Sequence, residues 1–323
     1  MSEQDFFQEA KELFRQYYAG DYKAALETAA RLEERFPEQR IHIAYWRICL
    51  NSRLGRVDEA LNLFSEALDE GLWWSEEQLR RDPDLDALRA NPEFKRLLTL
   101  CRERHRTAQA ASSPDLRVFP PSEAFSPPYP LLIALHGRGG TAKSALPHWK
   151  AVGEMGYLLA LPQSSQLAWP GAYAWDDGEV AEREIQAHYE ALRREYAIDL
   201  ERVILAGASQ GAALAIHLML RGRVPARGFL AVAPAAIDVD ALAEEAARGL
   251  GEQAQVGARG EARRRGYVVV GRQDPLYERA RQMVDVLNRH GLACEIEVHD
   301  DLGHEFPPHF ERTLAHALQF LTS

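Results

Sequence analysis

Residues 202–220 read RVILAGASQGAALAIHLML. An apolar, strand-like run from Val203 leads directly into Gly207-Ala208-Ser209-Gln210-Gly211, and a run rich in Ala and Leu follows. A buried strand, a turn flanked by two glycines and a helix describe a sharp elbow. In it the serine takes a strained backbone conformation and its hydroxyl is pushed out at the top of a sheet. Side chains at the flanking positions would collide with the neighbouring strand and helix, so glycine is needed at both. Ser209 is therefore the candidate nucleophile.

Outward from this elbow the chain repeats short buried-strand runs alternating with helices: LLIAL (131–135), YLLAL (157–161), GFLAVA (228–233), GYVVVG (266–271) and CEIEVH (294–299). This spacing predicts an α/β fold, a mostly parallel sheet flanked by helices, with ligand chemistry at the carboxyl ends of the strands. DLRVF at 115–119 is a candidate first strand within the Pro- and Ser-rich entry segment 108–130.

A serine hydroxyl is a weak nucleophile at neutral pH, so it needs a base, and the base needs a carboxylate to fix its tautomer. Asp274 follows GYVVVG in Arg272-Gln273-Asp274-Pro275, and His304 follows CEIEVH in Asp300-Asp301-Leu302-Gly303-His304. Both fall on loops at strand ends, in the chain order Ser, Asp, His of the α/β-hydrolases. Asp300, Asp301 and Glu305 are rival carboxylates that would have to fold back on His304, and His136, His299 and His309 are rival bases. For the negative charge that develops on a tetrahedral intermediate, His136-Gly137-Arg138-Gly139-Gly140 supplies a glycine-rich turn able to aim backbone N–H groups. Its second donor is expected from the residue after the nucleophile, Gln210. Neither G-x-G-x-x-G nor G-x-x-x-x-G-K-[ST] is present, which argues against a phosphate cradle.

The first third of the chain is written in a different period. Phe6, Phe7, Ala10, Leu13, Phe14 and Tyr17 form one helical face, and Ala25, Leu26, Ala29, Leu32 and Phe36 the next. GDYKAALETAARL from Gly20 aligns with GRVDEALNLFSEAL from Gly55, a period of 35 residues. That resembles the tetratricopeptide repeat of about 34 residues, in which glycine turns one helix into the next. Asp82-Pro83 and Asn91-Pro92 mark further helix starts that cap the stack. The expected division is a helical-repeat domain at 1–110 and an α/β-hydrolase domain at 111–323. The repeats serve either packing and homo-oligomer contact or recognition of a protein partner.

Composition limits the partners. The formal charge of −10 repels phosphate backbones, so no nucleic-acid partner is expected. Cys49, Cys101 and Cys294 are far apart and odd in number, which suits reduced thiols in a cytoplasmic protein. The N-terminus lacks the pattern of a secretory signal, and no run suits a membrane span.

LHGRGG, Pro162-Gln163-Ser164, Ala174-Trp175-Asp176-Asp177, AGASQGAAL and VVVGRQDPLYERARQMVDVLNRHGLACEIEVHDDLGHEFP together resemble the successive blocks of the phospholipase/carboxylesterase branch of the α/β-hydrolases, to which acyl-protein thioesterases also belong. The resemblance spans 131 to about 320. It implies a serine carboxylesterase with Ser209 as nucleophile, Asp274 and His304 as its partners, and the backbone of Arg138 and Gln210 as the oxyanion hole. The implied substrate is a small-molecule ester, with no cofactor and no metal. A thioesterase of the same mechanism and a repeat-based interaction module on a non-catalytic hydrolase scaffold are the alternatives. Two departures stand out: the helical first third, and Arg138 where the family often has an apolar residue. Trp169, Tyr173 and Trp175 are expected to wall a substrate pocket, and Asp176 with Asp177 reads as a solvated or capping pair. Residues 237–265 read as an amphipathic helix and a glycine-bearing loop, either a crossover or a small lid.

Overall fold

The computed structural model describes residues 3–256 and 264–323. Residues 257–263, within the expected glycine-bearing loop, lie outside the described residues. The chain divides into two compact units, one of residues 1–111 with 167–171 and one of 112–166 with 172–323.

The helical unit begins with two antiparallel hairpins, α1 (Glu3–Tyr18) with α2 (Tyr22–Arg35) and α3 (Arg40–Arg53) with α4 (Val57–Asp69). They turn at Gly20 and Gly55, whose φ values of +78° and +70° are open to glycine and costly for other residues. Asp21 caps α2 by accepting the Ala24 N–H at 3.0 Å. Helix α5 (Glu76–Arg81), a 3-10 turn (Pro83–Leu88) and α6 (Pro92–Ala110) complete the unit. Asp82 caps the turn and Asn91 caps α6, each directly before the proline that the sequence marked. The apolar helix faces close over two cores, one around Phe6, Leu13 and Phe36 and one around Ile48, Phe64, Trp74 and Phe94.

The second unit is built on seven strands: β1 (Asp115–Phe119), β2 (Tyr129–Leu135), β3 (Leu158–Gln163), β4 (Ile198–Ala208), β5 (Gly228–Val232), β6 (Arg265–Gly271) and β7 (Ala293–His299). Their order is β1-β3-β2-β4-β5-β6-β7. Only β1 runs antiparallel to its neighbour; every other pairing is parallel. The inner strands bury both faces, as parallel sheets must. Leu131, Ile133 and Leu135 of β2 join Val203 and Leu205 of β4 in one core, while Leu132 and Ala134 join Ile204 and Ala206 in the other. That alternation is the two-residue period of a strand. The fold is the α/β-hydrolase fold, preceded by an all-helical region. Among the described residues no helix is long and apolar enough to cross a membrane.

Candidate active site

The elbow at Ser209 follows from crowding of backbone on backbone. A Cβ on Gly207 would overlap the main chain of Gly211, and one on Gly211 would overlap the carbonyl oxygens of Leu135 and His136. With both positions bare, strand β4 turns at once into the helix Gln210–Leu220. Ser209 takes the strain, at φ 52° and ψ −117°, outside the regions that L-residues favour. Its backbone is pinned on both sides: its N–H donates to the Val232 carbonyl at 2.9 Å, and its own carbonyl accepts the Ala235 N–H at 3.0 Å. Gly211→Ala is accordingly expected to cost about 3 kcal/mol or more of stability, read as a large fall in thermal midpoint or as loss of soluble protein.

His304 and Asp274 arrive on two loops that are tied together. The Arg272 N–H donates to the His299 carbonyl at 2.8 Å and the Gln273 N–H to the Leu302 carbonyl at 2.9 Å. Gly271 permits this approach, since a Cβ there would overlap Leu302 and Gly303 backbone. The result is a continuous hydrogen-bonded series. His304 Nδ1 lies 2.8 Å from Asp274 Oδ2, and His304 Nε2 lies 2.9 Å from Ser209 Oγ. A carboxylate only accepts, so the imidazole proton sits on Nδ1 and the lone pair of Nε2 faces the hydroxyl. The Asp274 side chain is wholly enclosed, and its Oδ1 accepts the Leu276 N–H at 2.8 Å. Among the rivals, Asp300 pairs with Arg272, His299 pairs with Glu297, and His309 stands on the surface at the start of the last helix.

His136 is neutral and structural. Its Nε2 accepts the Ser164 N–H at 3.3 Å, which leaves the proton on Nδ1 to donate to the Gly137 carbonyl at 2.8 Å. Burial pushes its pKa down to about 4. Trp175 stacks on its ring at 4.7 Å between centroids, donates from Nε1 to its carbonyl at 2.9 Å, and donates its backbone N–H to Gln210 Oε1 at 2.9 Å. Beyond it the turn passes against Ser209, with the position of a Gly137 Cβ 3.4 Å from Ser209 Cβ. The N–H groups of Gly139 and Gly140 are spent on the Tyr173 and Gly137 carbonyls, at 2.7 and 3.0 Å, and so shape the turn. Gln210 opens its helix, where an N–H has no intrahelical carbonyl to meet.

Of the three aromatic residues expected to line a pocket, Tyr173 and Trp175 lie beside this turn, one by its backbone and one by its buried ring. Trp169 groups with the helical unit, where its ring meets His42 at 5.4 Å. The acidic pair divides its work. Asp177 caps the helix Gly178–Glu195, while Asp176 pairs with the Arg138 guanidinium and accepts Gln210 Nε2 at 2.8 Å. This Arg138–Asp176–Gln210 link was not legible in the sequence, because it joins side chains from two separate loops and a helix start. Trp175→Phe removes the donor that holds the His136 carbonyl. A tenfold or so fall in kcat with little change in KM is expected in ester kinetics, since small displacements of positioning groups cost that much or more.

Residues 8–109 match the family model described as "A/B hydrolase-like, N-terminal domain". Among solved structures, an uncharacterized protein from Bacillus cereus ATCC 10987 is 27% identical, over 98% of this chain and 99% of that one, with a TM-score of 0.55. Esterase PE8 is 16% identical, over 65% of this chain and 99% of its own, with a TM-score of 0.54, which speaks to the fold. No curated protein matches the chain. The helical first third is thus of a kind described alongside α/β-hydrolases.

Proposed function

We propose that this protein is a serine hydrolase of carboxylic esters. The observation that carries the reading is the unbroken series from Ser209 Oγ through His304 to the enclosed Asp274, with both contacts at hydrogen-bond length. Ser209 Oγ attacks the ester carbonyl while its proton passes to His304 Nε2. The imidazolium is held by Asp274, which stays ionised. The carbonyl oxygen becomes an oxyanion facing the N–H groups of Gln210 and Arg138, where fixed donors stabilise developing charge. His304 then returns the proton to the leaving alkoxide. Water, deprotonated by the same imidazole, attacks the acyl-enzyme and regenerates Ser209.

The choice of bond rests on the sequence blocks that resemble carboxylesterases. A thioester carbonyl is open to the same attack. A pre-steady-state trace with p-nitrophenyl acetate tests the scheme. One p-nitrophenol per enzyme is expected in a burst before the slower steady state, provided deacylation limits turnover. Absence of any turnover on p-nitrophenyl esters of two, four and eight carbons would overturn it.

A further inference from the structure

A cavity of about 250 Å³ lies within the helical unit, and nothing in the proposed ester chemistry uses it. Its walls are aromatic: Tyr17, Tyr45, Trp46, Trp74 and Trp169 all line it. Its floor is acidic, formed by Asp82 and Asp84 at the 3-10 turn, with Gln78 of α5 beside them. We propose that this cavity binds a small organic ammonium ion.

Charge and ring chemistry point to this occupant together. Ring faces attract a cation through their quadrupole, and the attraction grows when the cation is removed from water. The carboxylates set the sign of the site. Arg53 approaches Asp84 at 3.6 Å but does not line the cavity, and among the described residues no basic group is ion-paired to Asp82. His42, which lines the cavity, adds no positive charge, because burial pushes its pKa down to about 4. The volume falls below the roughly 300–1,000 Å³ of drug-sized ligand sites, so the ion is small.

The polar atoms further describe the ligand. Three carboxylate oxygens are already engaged: Asp84 Oδ1 by the Tyr17 hydroxyl at 2.9 Å, Asp82 Oδ2 by the Tyr45 hydroxyl at 2.7 Å, and Asp82 Oδ1 by the Asp84 N–H at 2.9 Å. Gln78 Oε1, in contrast, is a buried acceptor with no partner, while the Gln78 side chain also contacts the Tyr45 hydroxyl. A buried acceptor left alone is costly, and an N–H donor entering the cavity would satisfy it. A protonated amine supplies that donor and the positive charge at once.

A metal ion suits the site less well. Cys49, Asp82 and Asp84 offer atoms within 4.8 Å of one another, but burial raises the Cys49 thiol's pKa well above its ordinary value and so keeps the proton that a metal must displace. Much of the lining is aromatic and offers few lone pairs.

The test uses the full-length protein, with titration calorimetry and quenching of tryptophan fluorescence at neutral pH. The probes are n-butylammonium chloride, n-butanol as the uncharged counterpart, and zinc chloride. Saturable binding of n-butylammonium is expected at least about tenfold tighter than n-butanol. Asp84→Asn is expected to weaken the ammonium about fivefold to tenfold and to leave n-butanol unchanged, and Gln78→Met to weaken the ammonium by as much, each variant being checked for an unchanged circular dichroism spectrum. Should one variant fail to fold, the other carries the test. Equal affinity for n-butylammonium and n-butanol, no saturable ammonium binding, or a stoichiometric zinc site that excludes the ammonium would each overturn the proposal.

Discussion

Ser209→Ala is expected to lower kcat on a short p-nitrophenyl ester by at least about 10,000-fold, with the folded structure unchanged. The serine hydroxyl has a hydrogen bond to His304 Nε2 at 2.9 Å, and the pinning of the elbow is done by main-chain atoms. Alanine keeps the Cβ, the strained φ and both main-chain hydrogen bonds, and removes only the attacking oxygen. The residual rate should come from binding and the oxyanion donors alone, which in such enzymes leave a small acceleration over water. An unchanged thermal midpoint alongside lost turnover would separate chemistry from stability.

The second large effect is expected from Asp274→Asn, again about 10,000-fold in kcat. The side chain sits between two donors, the Leu276 N–H and His304 Nδ1–H, each at 2.8 Å. A carboxylate accepts from both. An amide has one oxygen and one NH2 group, so it satisfies Leu276 with the oxygen and turns its NH2 group toward Nδ1. The imidazole proton then moves to Nε2, which faces Ser209 Oγ as a donor and can no longer take its proton. The opposite amide orientation sets NH2 against the Leu276 N–H in an enclosed site, which costs stability. Kinetics beside thermal unfolding would show which cost dominates, and the tautomer predicts lost kcat with little change in KM.

The parts of this molecule that were legible from sequence are those fixed by local constraints. The Gly207–Gly211 elbow was readable because two close backbone approaches leave no room for a side chain. The positions of Asp274 and His304 were readable because each follows a recognisable strand, the apolar GYVVVG and the alternating CEIEVH, and parallel sheets place their chemistry at the ends of strands. The Asp82 and Asn91 caps were readable from the proline that follows each. What was not readable depends on distant pairs. Gln109 accepts the Leu167 N–H across 58 residues of chain, and the segment 167–171, Trp169 included, groups with the helical unit, a pairing that no local pattern encodes. Arg138 looked like a departure in an apolar place. Its charge is in fact met by Asp176, whose identity as a partner no local pattern encodes. Asp82 could be read as a cap, but its second role as the floor of an aromatic cavity arises only when α1, α3 and α5 come together.

The central claim is that Ser209 is a nucleophile activated by His304. Its most direct measurement is intact-mass and peptide-map analysis after treatment with a fluorophosphonate, a reagent that acylation-competent serines attack. One adduct per chain is expected, mapped to Ser209, absent from Ser209→Ala and formed far more slowly in Asp274→Asn. An unlabelled wild-type chain, or equal labelling of wild type and Ser209→Ala, would contradict the account.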